Sequence, residues 1–315
     1  MKVVLDLSRL MREGKISQEE FDRLSGFAAR DTGSLAINIL IGLGVIAVSG
    51  GLVAILLNAI AVGVIGAVVL AGGLAFTYAG ATLATICMLV GALMLAGGIV
   101  ALGNGDPGAL LLATAVLAGA GIAGRSNLLM GLAVLALAAC LGASTGYWHA
   151  SYELTITEPT LTIVLFGALA LSAYFASSRV GPAYEPLALT AARVSLFLVN
   201  FGFWIGSLWG DPLVLLRLMS GSEDAASGSR KIIVPEMVFI VGWAVALLAV
   251  AVWAARANRR WVVNLAAVFG AIHFYTQWFE RLGATPVSVL VGGVLVLGFA
   301  AVAWKLNQKI DTAAV

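Results

Sequence analysis

Charge is scarce in this chain. Asp, Glu, Lys and Arg make up 11% of its 315 residues, against roughly 25% in a soluble domain. Hydrophobic residues make up 61% and the mean hydropathy is +1.02. That leaves too little polar surface to clothe a water-soluble fold. The net charge of +2 carries no basic footprint for nucleic acid, so no nucleic-acid partner is expected. Cysteine occurs twice, at Cys87 and Cys140, both inside apolar runs. Their spacing suits neither zinc nor a disulfide framework, and they read as small packing side chains. No nucleophile with a base, no metal-spaced group of His, Cys and carboxylates, and no phosphate-cradling loop appears. No enzymatic activity, cofactor or metal is therefore expected.

What the chain has in quantity is apolar length. A hydrocarbon slab of roughly 30 Å needs about 20 apolar residues per helical crossing. Stretches of that kind fall at 35–57, 59–78, 82–103, 108–123, 127–145, 159–178, 187–209, 234–256, 261–280 and 286–306. The expected fold is all-α: a polytopic transmembrane helix bundle of about ten spans over 34–309, with a tail at 310–315. Two longer connections, 146–158 and 210–233, interrupt it, and the second carries a Ser-Gly-rich tract at 220–229 of linker composition.

Basic residues orient this bundle. With the N-terminus in the cytoplasm and ten alternating spans, fourteen of the eighteen Lys and Arg fall on the inner side. Arg217, Arg230, Lys231 and Arg281 fall outside. Dropping one span scrambles the segregation, so both termini are expected in the cytoplasm, in a cell inner membrane. Most tryptophans sit at span ends, the headgroup level that indole prefers, whereas Trp204 and Trp243 lie deeper.

The first 33 residues are different, with six basic and six acidic side chains. They do not read as a secretory signal. Val4, Leu7, Leu10 and Met11 are spaced for one helix face, and Gly14 is a stop signal. Ser17 with Glu20 forms a capping box for a second helix, which continues through Leu24 and Phe27. An amphipathic helical hairpin resting on the membrane surface or on a cytosolic loop is expected over 1–33, with docking of a cytosolic partner as the alternative.

Glycine is concentrated early: 24 of 37 precede residue 147. Gly50-Gly51, Gly72-Gly73 and Gly97-Gly98 predict close helix contacts, as do the pair Gly142 and Gly146 and the series Gly202, Gly206 and Gly210. Gly119 to Gly124 spells the dinucleotide fingerprint. It ends an apolar helix instead of following a strand, and no acidic residue follows it before Glu153, so no cofactor is read from it.

Ionisable residues inside lipid mark functional sites by default. The centres of the first six spans contain no Asp, Glu, Lys or Arg. The ninth holds His273, Gln277 and Glu280 at helical spacing on one face, a candidate polar cavity. The plainer reading has Gln277, Glu280 and Arg281 at the headgroups, with His273 bonded to a neighbouring helix. Arg193, about six residues into the seventh span, reads as snorkelling to the inner surface or as binding an anionic lipid with Arg179. Asn200 is mid-helix and is expected to bond an adjacent helix.

Gly14-Lys15-Ile16-Ser17 with Glu20, Ile41 to Ile46, Gly91 to Gly108, and Trp261 to Asn307 with its Gly292-Gly293 together resemble a bacterial family of predicted multi-pass inner-membrane proteins of unknown function (DUF2157-like). An aromatic frequent in that family after the asparagine ending the first span is replaced here by Ala59. The resemblance implies the ten-span architecture and brings no activity. The chain also resembles ten-span drug/metabolite transporters in length and orientation, although its halves share no common pattern. The expectation is a non-enzymatic structural or interaction component in the lipid bilayer. The alternative is a small-molecule transporter with its pathway near the ninth span.

Overall fold

The computed structural model describes residues 7–12, 14–24, 58–75, 81–148, 151–213, 234–257 and 259–312, together with Leu40, Gly44, Ala47, Val48 and Gly51. Near the N-terminus, α1 (Leu7–Arg12) closes as its pattern requires. Gly14 takes φ +67°, and the Gly14 and Lys15 amides donate to the Met11 and Leu10 carbonyls (3.0 and 2.9 Å). The capping box then opens α2 (18–24): Ser17 N–H donates to Glu20 Oε2 (2.9 Å) and Glu20 N–H to Ser17 Oγ (3.2 Å). The rest of the expected 1–33 hairpin, including Val4 and Phe27, lies outside the described residues.

The long helices are α3 (Ala59–Ala75), α4 (Ala81–Leu102), α5 (Pro107–Ala123), α6 (Asn127–Cys140), α7 (Pro159–Ser177), α8 (Glu185–Trp209), α9 (Glu236–Arg256), α10 (Arg260–Leu282) and α11 (Pro286–Thr312). They occupy nine of the ten expected stretches. The first, 35–57, lies outside the described residues apart from the five positions named, as does most of the 210–233 connection with its Ser-Gly tract. Among the described residues four helices, α4, α7, α8 and α9, are long and apolar enough to cross a membrane. Helices α3, α5, α6 and the Pro286–Gly298 part of α11 are apolar but shorter. The exterior is apolar too: Leu248 is 68% exposed and Leu297 71%.

One expected helix stops early. The 127–145 stretch is helical to Cys140, and the 146–158 connection is largely β-structure: β1 (Ala143–Trp148) pairs antiparallel with β2 (Ser151–Ile156), Ala143 opposite Ile156. The bundle itself is helical, as expected, and this two-stranded hairpin lies in the connection between α6 and α7. Gly142, at φ +83°, turns the chain out of α6, and Thr157 Oγ1 donates to the Leu141 carbonyl at the hairpin base (3.2 Å). Thr145, Tyr147, Trp148, Tyr152 and Thr155 are β-branched or aromatic, the types that suit a pleated surface. Gly142 and Gly146 thus join no helices.

Glycine sets the packing of α3 on α4. Gly66 meets Met94 and Leu95, Gly73 meets Met88, Gly91 meets Leu70, and Gly98 meets Gly63. One number rises as the other falls, so the two helices are antiparallel in a single register. A Cβ on Gly66 or Gly73 would stand 2.5 Å from a backbone nitrogen of α4, closer than any real side chain tolerates. Gly72 faces open space instead. The fingerprint-like hexapeptide is the end of α5 and its cap, with Gly121 packed 3.1 Å (from an ideal Cβ) against the Met130 amide of α6.

The core changes character along the chain. Between α4, α5 and α6 it is built from Met88, Leu89, Ala92, Ala113, Leu117 and Leu129. Between α6, α7 and α8 it centres on Phe166. Between α8, α9 and α10 it is aromatic, around Trp243 and Phe269. Gly202 admits Ile163 and Pro159 of α7 to within 3.3 Å of its Cβ position, and Gly206 admits the Phe239 ring of α9. Gly210 at φ +68° caps α8.

These antiparallel contacts assign each turn to an end of the bundle. Arg125, Arg179, Arg256, Arg259, Arg260, Lys305 and Lys309 fall at one end, with Arg193 two turns inside it, against Glu185 and Asp311. Among the described residues, Asp106, Glu153, Glu158, Asp211, Glu236 and Glu280 lie at the other end, against Arg281.

Candidate functional site

Polar groups converge where α8, α9 and α10 meet. Asn200, Trp204 and Ser207 follow one another on α8 at spacings of four and three, so they share a face, and on α10 Thr276 and Gln277 stand three and four residues after His273, next to it on the same side. Trp243 Nε1–H of α9 donates to Asn200 Oδ1 (3.0 Å), and Asn200 Nδ2 donates back to the Leu196 carbonyl (2.8 Å). Nearer the acidic end, Trp204 Nε1–H donates to Thr276 Oγ1 (3.0 Å). Gln277 Nε2 donates to Ser207 Oγ (3.4 Å), which donates to the Trp204 carbonyl (2.7 Å).

His273 joins this seam by packing. Its ring meets fully buried Trp243 edge to face, centroids 4.8 Å apart, and its buried Nδ1 has no hydrogen-bond partner among the described residues. Glu280 does not join: it is exposed at the end of α10. The three sequence candidates are thus split, two in the seam and one beyond it. Phe203 stacks on Trp243 at 3° between planes, and Phe269 closes the other side. A cavity of about 50 Å³ adjoins Asn200 and Trp243, walled otherwise by Phe203 and aliphatic side chains, with room for a few waters at most.

A buried carboxylate was not legible. The sequence puts Asp211-Pro212 at the head of an outer loop, yet Asp211 is completely buried. Its Oδ2 accepts from Thr160 N–H at the start of α7 (2.7 Å) and its Oδ1 from Leu213 N–H (2.8 Å). Its backbone bridges to Val234, just before α9. One residue thereby caps α7, ends α8 and anchors α9. The Gly-Asp-Pro triplet signals a turn but nothing that links residue 211 to residue 160.

The basic end is laced with aromatics. The Arg125 guanidinium lies over Tyr184 (5.7 Å to the ring centroid), Arg193 over Trp261 (5.3 Å) and Arg259 over Tyr174 (5.8 Å). Arg193 is exposed and paired with Trp261, and Arg179 is exposed just past α7. No contact joins the two among the described residues. No three His, Cys, Asp or Glu side chains converge as metal ligands among the described residues. Comparison with known proteins adds no name to this geometry: no family model, no curated protein and no solved structure matches the chain.

Proposed function

We propose that the chain is a multi-pass inner-membrane protein of about ten spans, with both termini in the cytoplasm, that serves without catalysis as a structural or interaction component. The observation that carries this reading is the closure of the α8–α10 seam. Asn200, Trp204, Ser207, Trp243, Thr276 and Gln277 satisfy one another or nearby backbone carbonyls, and the adjoining cavity is about 50 Å³. Groups bonded in this way hold helices together where hydrophobic driving force between them is weak. The charge separation between the two ends supports the orientation through the positive-inside rule. The resemblance to the DUF2157-like family agrees with this architecture and adds no chemistry.

Single cysteines along 264–280, in a background with Cys87 and Cys140 replaced by serine, test it. Positions on the seam-facing side of α10 are expected to stay closed to a membrane-impermeant thiol reagent, with position 280 open. The competing reading is a small-molecule transporter with a pathway past His273, Gln277 and Glu280, favoured by the unpartnered Nδ1 of His273. A labelled stripe through 273 and 277, with solute flux abolished by Gln277→Ala, would establish that reading instead.

A further inference from the structure

We propose that the basic end of α7 and α9 is a binding site for an anionic phospholipid, its phosphate held by Arg256 and Arg259 and an acyl chain lying along α9. A shallow groove of about 480 Å³ runs down the outer face of α9, lined by Val245, Leu248, Ala249, Val252, Trp253 and Arg256. Its wall is apolar until the last turn, where a single cation closes it. At about 1.5 Å per residue, the path from 245 to 256 is roughly 16 Å. That is close to half of a hydrocarbon core of about 30 Å, the depth of one leaflet.

The headgroup end is built by two helices. Tyr174 of α7 meets Trp253 edge to face (6.0 Å between centroids, 83° between planes), and the Arg259 guanidinium lies over the same tyrosine at 5.8 Å. Arg256, which lines the groove beside Trp253, and Arg259, over Tyr174, thus stand at the same end of the groove as this aromatic pair. Neither forms an ion pair among the described residues, and the groove wall contains no carboxylate to meet a choline or ethanolamine cation. Charge and shape together select an anionic diacyl lipid over a zwitterionic one. The inference requires the chain to sit in a membrane, and it holds whether or not the bundle transports anything.

The test uses the full chain in detergent, titrated with palmitoyl-oleoyl phosphatidylglycerol or phosphatidylcholine, with bound lipids counted by native mass spectrometry. The wild type is expected to retain phosphatidylglycerol preferentially. Arg256→Gln with Arg259→Gln should weaken that binding roughly thirty-fold, from the usual contribution of an arginine near an anionic surface. Arg256→Lys with Arg259→Lys should keep most of it, which also shows that changes at these positions leave the fold intact. Leu248→Trp, which fills the groove, should weaken binding with both arginines present. Equal loss in the control Arg125→Gln with Arg193→Gln would mean a diffuse basic surface and overturn the site. So would unchanged binding in Leu248→Trp, or equal retention of the two lipids by the wild type.

Discussion

Gly72 and Gly73 are neighbours in sequence and differ in what a methyl group would meet. A Cβ at Gly73 stands 2.5 Å from the Met88 amide nitrogen and 2.9 Å from Met88 Cα, both backbone atoms of α4, whereas at Gly72 nothing lies within 4 Å. Backbone cannot rotate aside, so Gly73→Ala must push α3 from α4 by about 1 Å to restore ordinary contact. Loosening that interface also strains Gly66, Gly91 and Gly98, which lie on the same seam. Overpacking of this kind costs about 1–3 kcal/mol, occasionally more. Gly72→Ala, by contrast, replaces a poor helix former on an open face, with an expected gain of up to about 1 kcal/mol. Both variants can be unfolded in mixed micelles by SDS titration, followed by circular dichroism. Cys87, half-buried next to Met88, supplies a second readout in a Cys140→Ser background: its thiol should react faster in Gly73→Ala and unchanged in Gly72→Ala. Equal shifts in the two variants, or a Gly73→Ala protein as stable as the wild type, would refute backbone contact between α3 and α4. Gly73→Ala combined with Gly91→Ala should cost less than the two separately, because the first substitution already parts the helices.

Other outcomes follow from the second half of the chain and from its head. Asn200→Leu leaves the buried Trp243 N–H without its acceptor, and should cost about 1–3 kcal/mol in the same SDS titration; Trp243 fluorescence should change with it. Asp211→Ala strips the Thr160 and Leu213 amides of their acceptor and should cost at least about 2 kcal/mol; Asp211→Asn, which keeps a carbonyl oxygen, should recover much of this. Glu20 has its carboxyl held below the usual carboxylate range, chiefly by the backbone hydrogen bond from Ser17, then by the Ser17 hydroxyl. A depressed folded value means that its stabilisation of α2 is complete above the unfolded value near 4.3 and is lost as pH falls through the lower folded one. A carbon-detected NMR titration of glutamate carboxyls in the full chain should find Glu20 titrating below the others, and Ser17→Ala should raise it.

The head of the chain shows how far local pattern reaches. The Gly14 stop and the Ser17–Glu20 box are formed as written, because capping is a transaction between residues three or four apart. The positions of the helices from α3 to α11 were equally legible from apolar length, save the early end of α6. The reading failed where length ran on but residue type changed. Past Cys140 the apolar count continues, while Gly142 and the Thr, Tyr and Trp that follow favour a turn and a pleated ribbon.

The candidate site was half visible. His273 and Gln277 stand out as polar residues in an apolar stretch, but their partners, Trp243 and Ser207, lie on other helices, and Glu280 shares their face without sharing their surroundings. Hydrophobicity and charge belong to each residue alone, so a linear string suffices to show that several helices are apolar enough to cross a membrane and where the described ones begin and end to within a few residues. Which glycine of a pair touches a neighbour, that residue 211 caps a helix starting at 159, and that Arg259 comes to rest over Tyr174 depend on the rotation and registry of helices against one another. Those are set by the summed packing of whole faces, which no short window of sequence contains.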